Sequence, residues 1–96
     1  MNYLDSLAGR IREELTPNLR PEARGDELYR LYALLVLVMG HRCTLENVHD
    51  AWSTWMTADQ PDHEALIPFD QLSHEAQLKD MPYLAAIRRV AATSRR

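Results

Sequence analysis

The stretch from Asp26 to Met39 constrains this chain more than any other. Leu28, Leu31, Tyr32, Leu34, Leu35, Leu37, Val38 and Met39 do not fall on one stripe of a helix but surround it, the pattern of a central element contacted from several sides. The spacing predicts a largely buried helix. Asp26 is placed to cap it, Glu27 suits its amino end, and Gly40 supplies the stop after Met39. A β-strand over Leu34 to Val38 is the weaker reading, because Leu28 to Ala33 is a strong helix former. In a chain of 96 residues, with room for one small domain and a modest core, everything else must pack around this segment.

The surrounding segments read as shorter helices. Leu4, Leu7, Ala8, Ile11 and Leu15 share one face of an amphipathic helix over residues 3 to 15. Pro17, Asn18, Pro21 and Gly25 then make Thr16 to Gly25 the clearest loop, a candidate hinge. Thr44 caps a third helix with Leu45, Val48, Trp52, Trp55 and Met56 along one face, and Thr57 to Glu64, broken by Pro61, reads as a surface connection. Pro68 holds Ile67-Pro68-Phe69 extended. Ser73 caps a short helix to Lys79, and Asp80 with Pro82 opens a last one whose apolar face is Tyr83, Leu84, Ile87, Val90 and Ala91. The expected fold is mainly all-α: a compact bundle of four to five helices with one short extended proline corner. Residues 1–25 form an amphipathic helix and loop and residues 26–96 the helical core, within a single domain.

Composition excludes several classes. A net charge of -3 and a pI near 5.7 provide no broad basic field, so neither nucleic acid nor an anionic membrane is an expected partner. The longest apolar run, Leu31 to Met39, is too short to span a bilayer, and the amino terminus lacks the order of a signal peptide. The single cysteine, Cys43, excludes an intrachain disulfide and suits a reducing compartment, so the expected location is cytoplasmic. Ten Arg against one Lys is the skew of a GC-rich genome.

The candidate site lies in the second half of the chain. Trp52 and Trp55, three residues apart, reach one side of the third helix. They are either core or a pocket wall on which a flat heterocycle stacks, or both, with Trp52 buried and Trp55 half-exposed. His49 either meets a ligand, titrating near neutrality, or orients a loop through a backbone carbonyl. Asp50 and Asp70 are candidates to hold a ribose or an amine, or are capping or solvated carboxylates. His41 and Arg42, just ahead of the third helix, form an anion site or a solvated turn. Arg88, Arg89, Arg95 and Arg96 either complement the dipole of the last helix or dock an acidic partner.

Other chemistry lacks its spacing. His41, Cys43, His49, His63 and His74 contain no second close pair of the kind that holds zinc, so no metal site is expected. Cys43 with His41 or His49 is the only nucleophile and base set, and nothing fixes their geometry; no catalytic residue is expected. Gly9, Gly25 and Gly40 are too widely separated for a phosphate loop, and no cofactor is implied.

The order His49-x-x-Trp52, then Leu66-Ile67-Pro68-Phe69-x-x-Leu72, then a turn ending at Asp80 resembles the ryanodine-receptor repeat, the RyR domain of prokaryotic proteins. The resemblance spans Thr44 to Ala92. Gln77 stands where that family carries a lysine, Phe69 replaces a tyrosine, and the Gly-Trp-x-Tyr-Gly segment is absent. The chain is also similar to small proteins of actinobacteria and their phages. The RyR resemblance implies a noncatalytic sensing or interaction module, with nucleotides among its ligands.

Two functional expectations follow. One is a non-enzymatic binding module that holds a small molecule, a nucleotide in the first place, or a peptide in an aromatic corner built from His49, Trp52, Trp55, Phe69 and Asp70. The other is a phage or bacterial regulator that binds a host protein, or pairs as a homodimer, through an apolar helix face such as that of the first helix.

Overall fold

A computed structural model describes residues 2–94. They form five α-helices: α1 (Tyr3–Glu14), α2 (Gly25–Val38), α3 (Leu45–Asp59), the short α4 (His74–Leu78) and α5 (Met81–Thr93). Short 3-10 turns at Pro17–Leu19, Gly40–Arg42 and Phe69–Gln71 connect them, and no strand occurs among the described residues. The helical bundle read from the sequence is the fold.

The helix boundaries follow local chemistry. At α1 the Asn2 side chain accepts from the Asp5 N–H at 2.9 Å, and at the other end Arg20 Nε donates to the carbonyls of Arg12, in the last turn, and Leu15, just past it. Thr44 and Asn47 cap α3 reciprocally, each side chain accepting from the other's backbone N–H at 3.2 and 3.0 Å. Ser73 caps α4 through the Ala76 N–H. Gly40, with φ +56°, ends α2 in the left-handed conformation that glycine adopts without a Cβ penalty.

Three expectations give way here. Asp26 is not the cap of α2: the helix starts at Gly25, and Arg24 occupies the cap position with φ 57°, left-handed despite its side chain. What holds Arg24 there is Trp55. Its indole Nε1 donates to the Arg24 carbonyl at 2.9 Å, the guanidinium donates back to the Trp55 carbonyl at 3.0 Å, and the same guanidinium lies 5.1 Å from the indole centroid. Nor is Phe69 extended: Pro68 is, at φ -54° and ψ 145°, but Phe69 opens a 3-10 turn. α3 also continues through Asp59, three residues into the expected surface connection.

The core is continuous across α1, α2, α3 and α5. Leu7, Ile11, Leu15, Leu28, Tyr32, Val36, Val48, Leu84, Ile87 and Val90 are buried in one cluster, so the apolar face of α1 is consumed by packing. Arg30 to Asp5, at 2.7 Å, and Arg89 to Glu14 add ion pairs from α2 and α5 to α1. On α2, however, the all-round burial expected of the apolar residues fails on one side: Leu34 is 48% exposed and Val38 60%. Gly25 lies close to Pro21 and Tyr29, where an added Cβ would come within 3.3 Å of the Tyr29 ring.

Candidate functional site

His49 is the residue around which the site is built. It is buried on α3, and its Nε2–H donates to the Ile67 carbonyl at 2.8 Å, so it pins the proline corner against the helix. Its ring stacks on Trp52, with centroids 5.7 Å apart and planes 23° from parallel, and meets Phe69 at 6.2 Å in a tilted contact. Gln77 Nε2 donates to the Phe69 carbonyl at 2.9 Å. The corner is therefore fastened on both sides, from α3 by His49 and from α4 by Gln77.

Behind this corner opens a cavity of about 470 Å³, within the size range of small-molecule sites. Its walls come from the 3-10 turn after α1, from Leu28 and Tyr32 of α2, from His49, Trp52 and Trp55 of α3, and from His63, Ala65 and Leu72 of the connection; Ala76, Lys79, Asp80 and Tyr83 close it. Trp52 meets His63 edge-on at 5.2 Å, and His63 Nδ1 accepts from the Ala65 N–H, which folds the 63–65 turn over the indole. Tyr83 donates its hydroxyl to the Leu19 carbonyl at 2.7 Å, fixing the loop after α1, and its ring lies 6.0 Å from that of Tyr32.

Electrostatically the cavity is mixed. Asp80 is its one carboxylate, half-buried at the start of α5. Burial pushes that carboxyl above its ordinary value, with His49 opposing the shift. The Tyr32 phenol is pushed well above its ordinary value by burial, and Asp80 adds to the effect. Exposed Lys79 and half-buried Arg20 bring positive charge to the same walls.

The expected site residues separate into three groups. His49, Trp52 and Trp55 line the cavity, while Phe69 supports it through His49. Both tryptophans are half-buried, Trp55 as expected and Trp52 less buried than expected: Trp55 packs against the core and is tied to Arg24, whereas Trp52 faces His49 and His63 in the cavity wall. Asp50 and Asp70 are exposed and line none of the cavities described, and the same holds for His41 and Arg42 in their 3-10 turn. The α3 amino end beside them is already served by the Thr44 and Asn47 capping pair.

The remaining basic and nucleophilic groups are also engaged. Arg88 donates through Nε and Nη2 to the Cys43 carbonyl, Arg89 pairs with Glu14, and Arg95 and Arg96 lie outside the described residues. Cys43 is fully buried, and burial pushes its thiol up, Arg88 opposing, which disfavours a thiolate. Among the described residues, no group of three His, Cys, Asp or Glu side chains is placed to hold a metal ion.

The sequence reading missed Tyr32, His63, Lys79, Asp80 and Tyr83 as cavity residues. Tyr32 and Tyr83 were legible as apolar positions of their helices, and Asp80 as a helix start. That they converge on Trp52 depends on how α2, α3 and α5 pack, for which the sequence carries no local signal.

No helix among the described residues is long and apolar enough to cross a membrane. No curated protein and no solved structure matches the chain. A family model does match, over residues 2–92, so the whole helical unit that builds the cavity falls within it, and the chain belongs to the family described as Domain of unknown function (DUF7701).

Proposed function

We propose that this protein is a non-enzymatic binding module that holds a small molecule, a nucleotide in the first place, in the cavity between α3, α5 and the pinned proline corner. The observation that carries this reading is the cavity of about 470 Å³ walled by Trp52 and by His49, which meets Phe69 and holds the Ile67 carbonyl of the corner. An indole face there offers stacking to a flat heterocycle, and Lys79 and Arg20 offer charge to a phosphate. The single cysteine, buried at Cys43, suits work in a reducing, cytoplasmic compartment.

A nucleotide panel followed by thermal melting and Trp fluorescence tests the reading. A ligand at a hundredfold its dissociation constant adds about 2.7 kcal/mol to stability, which in a domain this small raises the Tm by roughly 10 °C or more. A flat response across the panel rejects the proposal.

A second reading, a protein-interaction factor, draws support from exposed Leu34 and Val38, the first of which borders a shallow groove shared with Leu4, Leu31 and Trp55. The face is on α2 rather than on α1, whose apolar side is spent in the core.

A further inference from the structure

We propose that the cleft at the amino end of α2 binds a phosphate-type oxyanion, seated between the Tyr29 hydroxyl, the guanidiniums of Arg12 and Arg20 and the first amides of the helix. The site is separate from the cavity behind the proline corner and does not depend on the nucleotide reading.

Tyr29 lies in the second turn of α2 and is 4% exposed. Among the described residues, its hydroxyl alone of the buried side-chain nitrogen and oxygen atoms has no hydrogen-bond partner. An unmet donor inside a protein costs stability, and native structures keep few of them. The residue lines a cleft of about 460 Å³ together with Arg12, Arg20, Pro21, Gly25 and Asp26. Burial pushes its phenol above the ordinary value, Arg12 and Arg20 oppose the rise, and Asp26 adds to it.

The donors of this cleft are uncommitted. Arg20 is half-buried and spends Nε on the Leu15 and Arg12 carbonyls, while its two terminal nitrogens have no partner among the described residues. Arg12 makes only a surface contact with Glu13 at 3.4 Å, of a kind worth little. Arg24 gives α2 no side-chain cap, and the amides of Gly25 and Asp26 donate to nothing among the described residues. A helix end of this kind favours an anion. At Gly25 a Cβ would come within 3.3 Å of the Tyr29 ring and 3.4 Å of Pro21, so glycine keeps the floor of the cleft open. The other charges are spent or screened: Arg24 pairs with Glu27 and Arg30 with Asp5, and Glu22 and Asp26 are exposed to water and salt. Two guanidinium forks, two amides and a hydroxyl offer more donors than the two oxygens of a carboxylate take up, which favours a tetrahedral oxyanion. Because the hydroxyl is closed to water, the anion enters by displacing the weakly held Arg12 side chain.

Calorimetric titration of the intact protein at constant ionic strength with sodium phosphate, acetate, chloride and AMP tests this. Wild-type protein is expected to bind phosphate, acetate about tenfold more weakly, and chloride not measurably. Tyr29→Phe should lose about tenfold for phosphate, with a ligand-free Tm no lower than that of wild type, since no bond is removed. Asp26→Asn should gain roughly twofold by removing a screened repulsion. The wild-type order needs no variant, so a folding defect leaves the test standing. AMP binding that Tyr29→Phe weakens as it weakens phosphate assigns the site to a phosphoryl group on a larger molecule, and phosphate binding without AMP assigns it to the free ion. Phosphate no tighter than chloride, or Tyr29→Phe binding phosphate as wild type does, overturns the proposal. AMP binding that Tyr29→Phe leaves unchanged, with no phosphate binding, overturns it while the cavity reading stands.

Discussion

Asp80 is a single side chain whose burial works against the fold. Burial holds its folded pKa above the ordinary 3.8, so the folded state takes up the proton more readily than the unfolded chain. Ionised Asp80 therefore opposes folding, and that penalty disappears as the pH falls through the folded pKa. His49 on α3 lessens the penalty, while Tyr32 on α2 and Tyr83 on α5, both phenols raised by burial, stay neutral beside it. Asp80→Asn is accordingly expected to stabilise the ligand-free protein at pH 7, by up to about 1 kcal/mol for a half-exposed unpaired group. Melting curves across pH should show the gain shrinking towards acid conditions; a variant less stable than wild type at pH 7 would mean that the carboxylate has a donor in solution. His49 was legible only as a pair of alternatives, ligand contact or loop anchor. The 2.8 Å bond to Ile67 fills the anchor role, and a partner 18 residues away is beyond what local sequence specifies.

At the scale of elements, caps were read well where they are local and poorly where they are not. Thr44, Ser73 and Gly40 act within a few residues of themselves, through a hydroxyl or a positive φ. Arg24 acts across the fold. Its left-handed backbone is maintained by Trp55, 31 residues on, and α2 begins there because α3 holds it. Trp55→Phe removes the indole donor to the Arg24 carbonyl and weakens the guanidinium contact, and should cost about 1 to 2 kcal/mol. Urea unfolding measures this; a loss below about 0.5 kcal/mol, the range of an ordinary surface change, would show that Arg24 keeps its conformation unaided. α1 is a similar case. Its amphipathic face was plain in the sequence, but burial of Ile11 at 0% exposure makes it an integral wall of the core. Ile11→Ala should destabilise the whole protein by about 2 to 5 kcal/mol in one cooperative transition. Separate melting of α1, with the rest unchanged, would instead reveal an independent arm.

For the whole molecule, the apolar surround of α2 exceeds what four long helices of this size can cover. α1, α3 and α5 bury Leu28, Tyr32 and Val36, and leave Leu34 and Val38 to solvent. If that face works as an interface, sedimentation equilibrium should show self-association that Val38→Lys abolishes; a wild-type monomer throughout the accessible concentration range excludes the homodimer. The all-helical class, the order of helices and most of their ends were determined by the sequence itself, because periodicity, caps and proline act over one or two turns. Which side of α2 stays bare, how the two tryptophans divide between the stack on His49 and the hold on Arg24, and the gathering of Asp80, Tyr32 and Trp52 around one cavity were decided only by tertiary packing. Each depends on contacts between residues far apart in the chain, set by how side chains from several helices fill a shared volume rather than by any neighbour in sequence.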